Sequence, residues 1–206
     1  MTAFSFRDGA LYAEQCAVEA LARQFGTPLY LYSRSALESA YREYSEALAV
    51  CNNLVCYAVM ANSNLAGLDV LARVGAGFDI VSVGELERVV AAGGDPAKTV
   101  FSGVAKTAEQ MARALELGIF CFNLESAQEL EVLDRVAGEM GRRAPVSVRV
   151  NPDVDARTHP YISTGLKENK FGVTVEEALQ VYRRAAALPH VDVVGLDCHI
   201  GSQLTE

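Results

Sequence analysis

An incomplete (β/α)8 barrel is the fold class this sequence predicts, on three observations. Short apolar runs alternate with amphipathic stretches that open on helix-capping residues. No Gly-rich GxGxxG loop follows the first run, so the open dinucleotide-binding sheet lacks its fingerprint. Polar residues stand at the carboxyl end of nearly every run: Asn62, Asp79, Ser102, Asn123, Arg149, Asn151 and His199. A barrel builds its site from many strand ends in this way, whereas an open sheet concentrates its site at one switch point.

The predicted strands are Leu54–Met60, Phe78–Val81, Thr99–Phe101, Ile119–Leu124, Val146–Val150 and Val191–His199, all rich in β-branched or aromatic residues. Between them, a Ser or Thr followed three residues later by Glu or Gln marks helix starts at Ser35/Glu38, Ser82/Glu85, Thr107/Gln110, Ser126/Glu129 and Thr174/Glu177. In such a capping box each side chain satisfies an amide that the first helical turn leaves unpaired. In SALESAYREYSEAL, the helical spacing of Leu37, Ala40, Tyr41, Tyr44 and Leu48 predicts one buried face.

Alternation along the strands predicts which side chains look inward. In VSVRVN, Val146, Val148 and Val150 share one side, and Ser147, Arg149 and Asn151 share the other. In VDVVGLDCH, Val194, Leu196 and Cys198 oppose Gly195, Asp197 and His199. Buried parallel strands are normally apolar on both faces, so these polar rows call for a ligand in the barrel mouth. A full barrel has eight strands in about 250 residues. Six candidates, with HIGSQLTE directly after a site-bearing strand, predict a piece of a longer chain.

The 206 residues are half hydrophobic, with mean hydropathy +0.14, enough to bury one sizeable core. A net charge of −8 argues against binding a nucleic-acid backbone and favours a small-molecule partner. Arg7 and Asp8 precede any apolar run, so neither a signal peptide nor a membrane span is expected, and the predicted location is cytoplasmic. Five cysteines without a CxxC pair, mostly inside apolar runs, read as reduced core thiols. Three histidines without ligand spacing argue against a metal site.

YAVMANSN, GFDIVSVGEL, VFSGVAKT, RVNPDV, HPYISTGLKENKFG and GLDCHIGSQ follow one another, one per βα unit. Together they resemble the N-terminal half of the fold-type III pyridoxal-phosphate decarboxylases, over nearly the whole chain. GFDIVSVGEL and HIGSQ are shared with ornithine and arginine decarboxylases, while HPYISTG followed by KFG is most similar to the diaminopimelate branch. The resemblance implies a barrel of the alanine racemase-like type, with pyridoxal 5'-phosphate as cofactor. The implied reaction decarboxylates meso-diaminopimelate, a small amino acid, to L-lysine and carbon dioxide. Residues 1–34 would be a segment that packs with a C-terminal β domain absent from this sequence, and residues 35–206 a partial cofactor-binding barrel. A homodimer with shared sites is also implied, with the Lys167 and Glu168 region lying over the site near the partner subunit.

The same resemblance assigns candidate residues. Asp79 would lie beside the cofactor, Arg149 would set charge around its ring, His199 would stack on the ring face, and Ser202 would contact the phosphate. Read without it, His199 is as well suited to a structural hydrogen bond, and Asp79 and Arg149 to pairing with each other or with neighbours inside the barrel. Gly201 and Ser202 also form a turn able to offer amides and a hydroxyl to a phosphate. Met60 stands where the family carries the lysine that joins the cofactor aldehyde as an imine. A thioether cannot do so, yet matches the volume of a lysine stem, so the fold is expected to survive, with Met60 packing the barrel interior, while the chemistry is lost. Two other readings remain open: a non-catalytic relative that binds pyridoxal phosphate or another phosphate, and a decarboxylase of the ornithine or arginine type. A sugar-phosphate barrel such as an aldolase shares the βα rhythm but not the motif series.

Overall fold

The computed structural model describes residues 3–154 and 171–202. The chain begins with a small antiparallel sheet of β1 (Phe4–Arg7), β2 (Ala10–Ala13) and β3 (Cys16–Ala17), followed by α1 (Val18–Phe25). None of these three strands is among the six the apolar runs predict. The signal was a two-residue Asp-Gly turn: Arg7 pairs with Ala10, and both Asp8 (φ 49°) and Gly9 (φ 80°) adopt the left-handed conformation that tight hairpins require.

Helix α2 (Arg34–Ala47) is capped by Ser33, whose hydroxyl accepts from the Ala36 amide at 3.0 Å. The expected box at Ser35/Glu38 is therefore two residues out. Glu38 instead joins Arg34 and Arg42 in ion pairs along the helix surface. The predicted buried face of α2 also fails. Leu37 and Tyr41 are half-buried, but Ala40, Tyr44 and Leu48 are exposed, because the periodicity identifies an apolar stripe and not what covers it.

From Cys56 onward the βα alternation holds. Strands β4 (Cys56–Ala58), β5 (Gly77–Ile80), β6 (Thr99–Phe101), β7 (Cys121–Leu124), β8 (Ala144–Arg149) and β9 (Val191–Asp197) form one parallel sheet in sequential order. Helices α3 (Leu65–Arg73), α4 (Val83–Ala91), α5 (Ala108–Leu117), α6 (Ala127–Glu139) and α7 (Val175–Ala187) connect them, α3 being capped by Asn64, whose side chain accepts from the Ala66 and Gly67 amides. The architecture is six strands of an incomplete (β/α)8 barrel. Full reciprocal capping boxes form at Thr107/Gln110 and Thr174/Glu177. At Ser82 and Ser126 the serine caps as expected, but Glu85 and Glu129 reach one residue further back, to the amides of Val81 and Glu125.

The sheet's outward side chains meet the helices. Phe78, Ile80, Phe101, Phe122, Leu124, Val146 and Val148 are completely buried, against Leu86, Met111, Leu130 and Leu133 among others. Each such side chain contributes about 1.5–3 kcal/mol over leaving it exposed. The Phe101 and Phe122 rings stack with centroids 5.9 Å apart.

Three sequence readings need correction. The first strand does not run to Met60: it ends at Ala58, and a 3-10 turn over Val59–Ala61 sends Val59 into the core while turning Met60 outward. The last strand ends at Asp197, and its pairing with β8 skips Val194, a bulge that leaves Gly195 and Asp197 opposite Ser147 and Arg149. The cysteines are free, but only Cys121 is buried and Cys56 half-buried; Cys16, Cys51 and Cys198 are exposed.

Among the described residues, no helix is long and apolar enough to cross a membrane, and no three His, Cys, Asp or Glu side chains cluster as metal ligands.

Candidate active site

Because side chains alternate along each strand, packing the apolar set against the helices leaves the other set facing the barrel lumen. Register then places these inward residues side by side: Ala58 opposite Asp79, Asp79 opposite Val100, Val100 opposite Cys121, and Asn123 opposite Ser147. The carboxyl end of this lumen opens into a cavity of about 500 Å³. Met60, Asp79, Arg149, His199 and Ser202 all line it. Asn62 and Asn151 do not; they line separate hollows. Only Phe171 and Gly172 of the HPYISTGLKENKFG segment belong to the described residues, so Lys167 and Glu168 lie outside them.

Beneath the cavity a hydrogen-bonded row crosses four strands. Ser102 donates to the Asp79 carboxylate at 2.5 Å, the Asn123 amide donates to the Ser102 hydroxyl at 3.1 Å, and Ser147 donates to the Asn123 carbonyl oxygen. Each buried polar group thus finds a partner on the next strand, which removes most of the penalty for placing it in a barrel interior. Burial nonetheless pushes the Asp79 carboxyl up to about 6, against the lowering effect of the Ser102 hydrogen bond; nearby Asp197 and Glu85 add repulsion. Burial likewise raises Asp197, with Arg149 opposing. It lowers His199, and the neighbouring Arg149 charge lowers it further, so the imidazole is biased toward its neutral form. The Cys56 and Cys121 thiols are pushed up by burial to about 11 and about 12, which keeps them protonated and unreactive near neutrality.

Arg149 does not pair with Asp79. Its guanidinium binds the Glu125 carboxylate at 3.1 Å and lies 5.1 Å from the Phe171 ring centroid. The other Glu125 oxygen accepts from the Gly172 amide at 2.7 Å. Glu125 was missed in the sequence because it lies just past its strand, in a helix-start pattern that accounts for acidic residues without invoking a site. Asp197 was seen on the inward row but not singled out, and Cys198, expected on the opposite face, also lines the cavity because the strand has already ended.

Met60 is 69% exposed at the cavity rim, so the expectation that it packs the interior is wrong. The 3-10 turn is the cause, since it hands the buried position to Val59. Among the described residues no lysine lines the cavity. Lys106 is near but unavailable: its ammonium is buried and donates to Gly103 O, Asn123 O and Glu129 Oε1 at 2.6, 2.8 and 2.6 Å.

A parallel barrel with a cavity at the carboxyl rim, where a few polar and charged side chains converge among apolar ones, has the form of the small-molecule sites barrel enzymes use. Residues 34–206 match the sequence model of the pyridoxal-dependent decarboxylase family's pyridoxal binding domain, and the chain belongs to that family. Diaminopimelate decarboxylase of Pseudomonas aeruginosa is 66% identical over 206 residues, covering 100% of this chain and 50% of that protein. The Vibrio cholerae enzyme of the same name is 63% identical over 198 residues, or 96% of this chain and 48% of that protein. The chain thus spans about half the length of these curated relatives. Among solved structures, diaminopimelate decarboxylase of M. jannaschii in complex with L-lysine superposes with TM-score 0.92 at 40% identity, covering 100% of this chain and 49% of that one. The Helicobacter pylori enzyme with L-lysine gives 0.89 at 45%, over 92% of this chain and 48% of that one. Family membership makes pyridoxal 5'-phosphate the cofactor of this domain.

Proposed function

We propose that this chain is the cofactor-binding half-barrel of a decarboxylase acting on meso-diaminopimelate, and that with methionine at position 60 it holds the cofactor without a covalent bond and does not turn over substrate. The observation carrying this reading is that Asp79, Arg149, His199 and Ser202 line one cavity at the carboxyl rim of the sheet. Relatives at 66% and 63% identity named diaminopimelate decarboxylase support the substrate.

The residues present suit the ring and phosphate of the cofactor. His199, biased toward its neutral form, would hold the ring, the Ser202 hydroxyl would donate to the phosphate, and Arg149, steadied by Glu125, would supply positive charge to the bound cofactor. Asp79, with a carboxyl near 6, can hold or release a proton beside the ligand around neutral pH. When bound, the cofactor supplies an electron sink for the charge left as carbon dioxide departs. Covalent attachment does not fit, because no amine stands at position 60 and Lys106 has all three donors committed.

The family's homodimer, a cytoplasmic location, and the pairing of residues 1–34 with a C-terminal β domain belong to the same proposal. A second reading, a non-catalytic pyridoxal-phosphate-binding relative, is favoured by Met60 alone.

Equilibrium dialysis of the purified chain with pyridoxal 5'-phosphate should show reversible binding, and borohydride should fix none of it. No binding, or a fixed adduct inside the cavity, would overturn the proposal. A chain of the relatives' full length carrying Met60→Lys should release carbon dioxide from meso-diaminopimelate while its Met60 counterpart does not. Inactivity of both would favour the second reading.

A further inference from the structure

We propose that Lys106 is a positioning residue for this cavity, holding Asn123 directly and Arg149 through Glu129 and Glu125. The inference rests on reading the cavity as the ligand site.

An ammonium has three protons to donate, and Lys106 uses all three on different elements: Gly103 O in the loop after β6, Asn123 O on β7, and Glu129 Oε1 on α6. Gly103 and Asn123 both line the cavity. The chain of contacts continues, since the second Glu129 oxygen accepts the Glu125 amide at 2.8 Å. The Glu125 carboxylate in turn holds the Arg149 guanidinium at 3.1 Å and the Gly172 amide at 2.7 Å. Lys106 thereby ties three strand ends and a helix start into one unit whose far end is the cavity's arginine.

Stability is a poor explanation for this arrangement. The Lys106 and Glu129 side chains are 1% and 9% exposed, and a buried pair of charges costs so much desolvation that apolar residues of similar volume often replace it without loss. What apolar residues cannot reproduce is direction: three fixed acceptors around one donor, and a carboxylate aimed at a specific amide. Gly172 also packs so closely that a Cβ there would lie 2.8 Å from Arg149 O, so a small shift of Glu125 is transmitted to the arginine's own backbone neighbour.

The test removes both charges together, in Lys106→Met/Glu129→Leu, so that no orphan ion remains. Two readouts are taken on the chain: amide exchange of Gly172 by NMR, which needs no ligand, and pyridoxal 5'-phosphate affinity by equilibrium dialysis. The double variant should melt within a few degrees of the parent. Its Gly172 amide should exchange at least ten-fold faster while the Val146 amide is unchanged, and its cofactor dissociation constant should rise at least ten-fold. Parent-like Gly172 exchange and affinity would overturn the proposal. So would a double variant that does not fold, since the pair would then serve the fold itself. If the parent binds no cofactor, the proposed function fails, and the Gly172 exchange alone decides the role of Lys106.

Discussion

The two faces of the central strands obey opposite rules. On β5 to β8 the outward face is made of Phe78, Ile80, Phe101, Phe122, Leu124, Val146 and Val148, all completely buried under the helices. The lumen face of the same strands carries Asp79, Ser102, Asn123, Ser147 and Arg149, joined by hydrogen bonds or ion pairs. Outward residues gain free energy from burial irrespective of direction, so close packing suffices. Lumen residues lose solvation and recover it only where a partner stands at the right distance and angle. One face holds the barrel together, and the other tolerates a cost that leaves Asp79 and Arg149 lining the cavity at the carboxyl rim.

Three measurements would break or sharpen this contrast. The largest effect belongs to the outward face at its centre. Phe122→Ala should cost about 3–5 kcal/mol in chemical denaturation, because it removes a buried ring stacked on Phe101 and leaves a cavity. A loss below 1 kcal/mol would mean that this face is not the seat of stability.

A medium effect of opposite sign belongs to the lumen. Burial lifts the Asp79 carboxyl from 3.8 to about 6, so between those values the folded chain keeps a proton that the unfolded chain has released. Stability attributable to Asp79 therefore falls as pH rises through that window, and the cost is complete above the folded value. Asp79→Asn, which can still accept from Ser102, should stabilise the chain by about 2–3 kcal/mol near pH 7.5 and by nothing near pH 3.5. Equal stabilisation at both pH values would show that the carboxylate's ionisation is not the cause.

The smallest effect lies where the outward face loses its cover. Leu196 sits opposite Val148 on β9, yet it is 65% exposed while Val148 is fully buried. Leu196→Ser should change stability by no more than about 0.5 kcal/mol, because little apolar area is withdrawn from contact. A loss comparable to Phe122→Ala would reveal cover over β9 that the exposure does not register.

What was legible in advance follows the same division. Thr99–Phe101 matches its strand residue for residue, and the alternation in VSVRVN correctly separated Val146 and Val148 from Ser147 and Arg149. Such readings rest on a strand's period of two, which is local and needs no knowledge of neighbours. The β1–β2 hairpin is equally legible through Asp8-Gly9, since the turn signal is local. Met60 was different in kind. The resemblance picked it out by its place in YAVMANSN, but its exposure depended on a 3-10 turn that a run of Val and Met does not foretell.

By itself, then, the sequence determined the βα order, the two-faced strands and the residues able to do chemistry, because periodicity and side-chain type act over a few neighbouring positions. Only the tertiary structure decided that Arg149 pairs with Glu125 and not with Asp79, that Lys106 is spent on three acceptors, and that α2 leaves its apolar stripe largely open. Those outcomes depend on distances between strands and helices far apart in the chain. Electrostatic and packing energies change over a few ångströms, a scale that is set only once the sheet has curved.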